Sequence, residues 1–104
     1  PIEKKMADYF LTNKAVEDLS EIWHYTFDEW SERQADKYYE LLIGFCKKIA
    51  ETPGIGKNYR EIDKDIFGYK ASQHIIFYRI IEIGKIEIVR ILHVRTDIKN
   101  RIME

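Results

Sequence analysis

The sequence predicts an α+β domain of two layers. An N-terminal strand leads into an antiparallel helical hairpin, packed on one face of a mainly antiparallel four-stranded sheet. The order is β-α-α-β-β-β, and a short C-terminal helix closes the chain. Three observations carry this expectation. Two runs rich in Ile, Val, Phe and Tyr, His74–Ile83 and Ile86–His93, flank Gly84-Lys85. Two long stretches upstream repeat apolar residues at helical spacing. And 104 residues suit one domain with one core, at an ordinary globular balance of 45% hydrophobic and 34% charged side chains.

The strand runs come first because the rest of the chain is arranged around them. A two-residue connection opening on Gly84 predicts a type II′ turn, since glycine takes φ > 0 without steric cost. Neither run alternates cleanly. Ile75, Phe77, Ile81 and Ile83 share one face, and His74, Ile76, Tyr78 and Ile80 the other. Both faces of this hairpin are therefore expected to be at least partly covered. Arg79 and Arg90 fall mid-strand.

Taken in order, residues 1–5 are expected to be loosely attached, with Met6 a natural start and a single domain over 6–104. Asp8–Leu11 is a short strand. Thr12 caps a helix over residues 13–30, whose apolar face is Ala15, Leu19, Ile22, Trp23, Thr26 and Trp30. Ser31 and Gln34 form a capping box for a second helix over 32–52. Its stripe is Ala35, Tyr38, Tyr39, Leu42, Phe45 or Cys46, and Ile49, and Pro53-Gly54 stops it. Ile55–Asp65 reads as a loop and Ile66–Ala71 as a further strand. Thr96–Glu104 carries a weak helical pattern, with Asp97 placed to favour the helix dipole.

Charge and composition exclude several function classes. The net charge of −1 is not that of a protein holding a phosphate backbone by itself, so tight nucleic-acid binding alone is not expected. The charge is uneven. Residues 1–52 carry 7 basic against 11 acidic side chains, −4, and residues 70–104 carry 7 against 4, +3. That asymmetry favours an acidic partner for the second half. A single cysteine, Cys46, allows no internal disulfide and reads as a small buried apolar residue, as in a reducing compartment. No run suits a membrane span or signal peptide, so a cytoplasmic protein without a membrane partner is expected. His24, His74 and His93 lack metal-ligand spacing, and Gly54 with Gly56 makes a turn rather than a phosphate loop. No cofactor is expected.

Several words of the sequence carry a resemblance. They are FLT at Phe10–Thr12, DLSEIWHYT at Asp18–Thr26, QADKYY at Gln34–Tyr39, HIIFYR at His74–Arg79 and IVRILHVRTD at Ile88–Asp97. Together the chain resembles the ParE-type toxins of bacterial toxin–antitoxin and plasmid-stabilisation systems, within the ParE/RelE superfamily. The resemblance implies a toxin that poisons DNA gyrase on cleaved DNA and is silenced by a ParD-like antitoxin. Relatives of RelE type are instead ribosome-dependent mRNA nucleases, and shared fold does not separate the branches. A third alternative is an inactive member that only binds its antitoxin.

Residues can be weighed against each reading. RNA cleavage by 2′-hydroxyl attack needs a base, an acid and phosphate-binding cations. His74, Tyr78, Arg79, Arg90, His93 and Arg95 are the candidates, and each also has a plain structural role open to it. Arg79 and Arg90, for instance, could pair with Glu82, Glu87 or Asp97. The missing cationic excess favours the gyrase-directed branch, for which no catalytic residue is expected. The antitoxin surface is expected to combine apolar patches with Lys70, Arg79, Arg90 and Arg95. The target surface is expected at the sheet end and tail, on His93, Arg95, Asp97, Lys99 and Arg101.

Overall fold

A computed structural model describes residues 7–104. The expectation of a loose lead-in at residues 1–5 with a start at Met6 falls outside the described residues. The elements run β1 (Asp8–Leu11), α1 (Asn13–Glu29), α2 (Glu32–Glu51), a 3₁₀ turn (Pro53–Ile55), β2 (Lys57–Asn58), β3 (Phe67–Ala71), β4 (His74–Glu82), β5 (Lys85–His93) and α3 (Ile98–Ile102). The sheet order is β1-β5-β4-β3-β2, with β1 parallel to β5 and every other pair antiparallel.

The predicted β-α-α-β-β-β order is present, and the first strand joins the sheet. One detail differs. The sheet has five strands among the described residues, because Lys57–Asn58 inside the expected loop pairs with Phe67 and Gly68. Two polar residues carry no strand pattern, so sequence periodicity had nothing to detect. The hairpin turn also differs. Glu82 pairs with Lys85, so Ile83-Gly84 is the two-residue loop and the positive φ of 79° falls on its second residue. A positive φ there belongs to a type II rather than a type II′ turn.

Both helix starts are capped as the sequence indicates. The Thr12 hydroxyl accepts from Ala15 N–H at 3.1 Å and the Ser31 hydroxyl from Gln34 N–H at 3.1 Å. The helical hairpin buries Ala15, Leu19, Leu42, Cys46 and Ile49 against Ile76, Tyr78, Ile86, Ile88 and Ile91. Cys46, not Phe45, takes the buried position of the α2 stripe, and burial pushes its thiol up to about 12, so it is an inert core group. The expected apolar face of α1 ends earlier than predicted. Trp30 is 77% exposed, and Trp23 is half-buried, donating its indole N–H to Asp36 at 2.9 Å. Trp30 sits in the turn between the two helices, and Trp23 lies on the side of α1 that meets α2.

A second, smaller core lies on the other sheet face. Ile75, Phe77, Leu92 and Ile66 are buried there under Tyr59, Val94, Ile98 and Ile102. The tail therefore holds part of the core. Asp97 caps α3, its side chain receiving Asn100 N–H at 3.4 Å.

Beyond Leu11, β1 no longer covers β5, and side chains take over its backbone groups. Thr12 donates its hydroxyl to the Val89 carbonyl at 2.8 Å, and the Asp18 carboxylate accepts from Ile91 N–H at 2.9 Å. At the same place β5 bulges. Phe77 faces Arg90 and Tyr78 faces Ile88, leaving Val89 as the extra residue. The Arg90 guanidinium meets Asp18 through two bonds, at 2.8 and 2.9 Å, and donates to the Arg101 carbonyl at 2.6 Å. Asp18 and Arg90 are each 4% exposed. This clasp ties α1, β5 and α3 together.

Candidate functional site

At the turn end of the helical hairpin lies a cleft of about 700 Å³. Ile22, Tyr25, Thr26 and Trp30 of α1 form one wall. Gln34 and Tyr38 of α2 and Gln73 of the β3–β4 turn form another. His74, Ile91 and His93 line the sheet side, and Thr96 and Arg101 the tail. The volume falls in the range of ligand-binding clefts, and the walls are mainly apolar with a few polar groups converging. Trp30 and Tyr25, 77% and 67% exposed, line it. Exposed aromatic side chains grouped around a cleft are the usual anchors of partner recognition.

The polar groups are fixed by their own partners. His74 and His93 face each other across β4 and β5, ring centres 5.3 Å apart and edge to face. His93 Nδ1 accepts Arg95 N–H at 3.1 Å, so its ring proton sits on Nε2. The Tyr38 hydroxyl accepts Gln73 N–H at 3.2 Å and donates to His74 Nδ1 at 2.7 Å. Burial raises the Tyr38 pKa and keeps the hydroxyl protonated, and with its oxygen already accepting from Gln73 its proton is the one directed at His74. His74 therefore also carries its proton on Nε2. Burial, and next the neighbouring His93, lower its pKa to about 4, against a smaller opposing pull from Asp18, so it stays uncharged near neutrality. No partner within the described residues is found for either Nε2–H.

The residues expected on the hairpin do not converge. Tyr78 is fully buried, and its hydroxyl donates to the Pro53 carbonyl at 2.5 Å and accepts Gly56 N–H at 3.0 Å. Arg79 pairs with Asp63 at 3.1 Å. The Asp65 backbone N–H, and next Arg79, hold the Asp63 carboxyl below its usual range. Arg90 is locked to Asp18, not to Glu82, Glu87 or Asp97. His93 is half-buried in the cleft, with Arg95 exposed just beyond it. Lys70 lies exposed on β3, two strands across from β5, where the register sets it level with Leu92, near the sheet end that leads to Arg95. His93, Arg95, Asp97, Lys99 and Arg101 follow one another from the sheet end into α3, with Arg95, Asp97 and Lys99 exposed and Arg101 half-buried.

Comparison with known proteins fits this geometry. A family model described as ParE toxin of type II toxin-antitoxin system, parDE, matches residues 9–98. The chain belongs to the ParE toxin family. It is 37% identical over 90 residues to Toxin ParE1 of Mycobacterium tuberculosis, covering 86% of this chain and 92% of that protein. It is 34% identical over 89 residues to Toxin ParE1 of Caulobacter vibrioides, covering 85% and 90%. Among solved structures, a chromosomal ParDE toxin–antitoxin system from P. aeruginosa superposes with a TM-score of 0.74 at 18% identity, covering 86% of this chain and 98% of that one. The toxin–antitoxin complex RelBE2 from Mycobacterium tuberculosis gives 0.65 at 18% identity, covering 86% and 99%. At that identity these two structures bear on the fold alone. The ParE match takes in the elements that build the cleft, and Arg101 lies beyond it.

Sequence reasoning missed three residues of this candidate site. Asp18 falls between Ala15, Leu19 and Ile22 on the inward face of α1, and a carboxylate on an apolar stripe signals a buried partner. Tyr38 packs against the core as its place in the stripe predicts, and its hydroxyl also holds His74, which the stripe does not foretell. Trp30 was assigned to the core and instead lines the cleft.

Proposed function

We propose that this ParE-family toxin acts on DNA gyrase, as the resemblance implies, and is neutralised by a ParD-like antitoxin. The observation that carries the choice is the dispersal of the nuclease set. Tyr78 is sealed under the helical hairpin, Arg90 is locked in the clasp, and Arg79 is paired with Asp63. In-line attack on a phosphodiester needs base, acid and cation within about 3 Å of the reacting atoms. These side chains instead serve separate structural contacts. The target surface in this reading is the strip His93, Arg95, Asp97, Lys99 and Arg101. The antitoxin surface joins the cleft to Arg95, with Lys70 and Arg79 as outlying cations and Arg90 held inside. The solved structures similar in fold include a ParDE system and a RelBE2 complex, which supports an antitoxin as partner.

Two assays test the reading together. Purified toxin is added to gyrase with supercoiled DNA and ATP, and separately to a translating extract followed by primer extension on the message. Linear, protein-linked DNA with an intact message is expected. Message cleavage lost in His93→Ala or Arg95→Ala would replace the reading with the nuclease one. Silence in both assays with antitoxin binding intact would leave an inactive member.

A further inference from the structure

We propose that the cleft at the turn end of the helical hairpin receives a glutamate or aspartate of the antitoxin, delivered beside a large apolar side chain of the same segment. The proposal rests on the antitoxin being the partner and adds where and by what chemistry it is gripped. The apolar neighbour is received by Trp30, Tyr25 and Ile22. The carboxylate is received at the sheet end by the Nε2–H groups of His74 and His93 and by Arg101.

Three features select a carboxylate. Both imidazoles have Nδ1 occupied, by Tyr38 O–H and by Arg95 N–H, so each presents only a donor. These donors are open to the cleft and take any acceptor that displaces their water, and a charged acceptor binds them about twice as strongly as a neutral one. Of the native carboxylates close by, Asp18 already accepts two bonds from Arg90 and one from Ile91 N–H, and Glu104, exposed at the chain end, lies 3.1 Å from Arg101 Nε and gives way to the incoming group. Finally, the sheet half and tail that supply this end carry +3. Glu21 stands exposed on the α1 wall and repels an acidic group there, which favours the sheet-end orientation. An antitoxin held this way covers His93 and Arg101, two members of the target strip, so neutralisation follows from occlusion.

The test uses the full chain and two capped nonapeptides, each with a leucine and a phenylalanine, one with a central glutamate and the other with glutamine there. Binding is read from Trp fluorescence and from the imidazole resonances of His74 and His93. The glutamate peptide is expected to bind about tenfold more tightly than its twin, the worth of one charge-assisted bond. Trp30→Ala, a change at an exposed site, should weaken both peptides and preserve their ratio. His93→Phe should bring the ratio close to one. If that variant fails to fold by circular dichroism, Arg101→Gln gives the same reading, since the clasp uses its backbone carbonyl and its side chain meets the exposed Glu104.

Equal binding of the two peptides, or absence of binding at millimolar concentration, would overturn the proposal. So would indole-3-acetate binding as tightly as the glutamate peptide, which would make the cleft a site for free aromatic acids. Gyrase cleavage is measured on the same preparations. A gyrase poison without peptide preference removes the cleft proposal alone. A gyrase-inert protein that keeps the preference removes the target reading alone.

Discussion

Replacing Asp18 by Ala should be among the most damaging single changes in this fold. The carboxylate accepts three bonds, two from Arg90 and one from Ile91 N–H, in a site where both ionic side chains are 5% exposed. Its loss strands a guanidinium in low dielectric, at a cost of about 3–5 kcal/mol for breaking a buried pair. It also leaves a buried backbone N–H unpaired, and such a group costs about 1–3 kcal/mol. The two penalties share one site and do not add fully, so about 4–6 kcal/mol is expected. A domain of this size has about 5–15 kcal/mol in all, so the variant sits near its unfolding threshold. Urea titration followed by circular dichroism measures the loss. The double variant Asp18→Leu with Arg90→Met should recover most of it, because a buried pair exchanged for apolar side chains is close to neutral. What remains is about 1–3 kcal/mol for the orphaned Ile91 N–H. A loss below about 1 kcal/mol in Asp18→Ala would refute the reasoning, as would a double variant no better than the single one.

Three further outcomes are expected. His74 titrates at about 4 in the fold against 6.5 unfolded, so the unfolded chain binds more protons between those values and stability falls as pH drops from 6.5 to 4. In His74→Gln that part of the decline should vanish, measured by urea midpoints at pH 5 and pH 7.5; an unchanged difference between the two midpoints would refute the assignment. Tyr78→Phe should cost about 1–3 kcal/mol, because the Pro53 carbonyl and Gly56 N–H both lose their partner. It should leave gyrase poisoning intact under conditions where the protein is folded, and lost activity in folded protein would return Tyr78 to the functional set. Truncation after Asp97 should abolish toxicity, as the tail sequence alone indicates. It should also lower the melting temperature, since Ile98, Ile102 and the Arg101 carbonyl are removed from the second core and the clasp. An unshifted melting curve would show the tail to be functional only.

What the sequence disclosed follows from periodicity and local chemistry. Strand runs, helix stripes and the caps at Thr12 and Ser31 depend on neighbours close in sequence, and they stand where expected. The cover on both faces of the hairpin was legible too, because neither run alternates. Edges and ends were not legible. Lys57–Asn58 pairs only because β3 presents a free edge to it, and Trp30 is exposed because it stands in the turn between the helices. The site was legible as a list and not as a place. Arg90, Tyr78 and Arg79 are polar side chains on the central hairpin, yet each is claimed by a group far away in sequence: Asp18, Pro53 and Asp63. The Tyr38–His74 bond joins residues 36 positions apart and has no signature in either run.

The pairing of β1 with β5 has a kinetic consequence. The helical hairpin and the β3–β4–β5 meander close over short loops, so both can form early. The clasp joins residues 72 positions apart, and Thr12 reaches Val89 across 77. Closing a loop that long is entropically costly and yields little until both parts exist, so it belongs late on the folding path. Asp18→Ala should then leave the refolding arm of the chevron nearly unchanged and steepen the loss through faster unfolding. The buried ion pair would thus govern how long a folded toxin lasts, while having little influence on how quickly one is made.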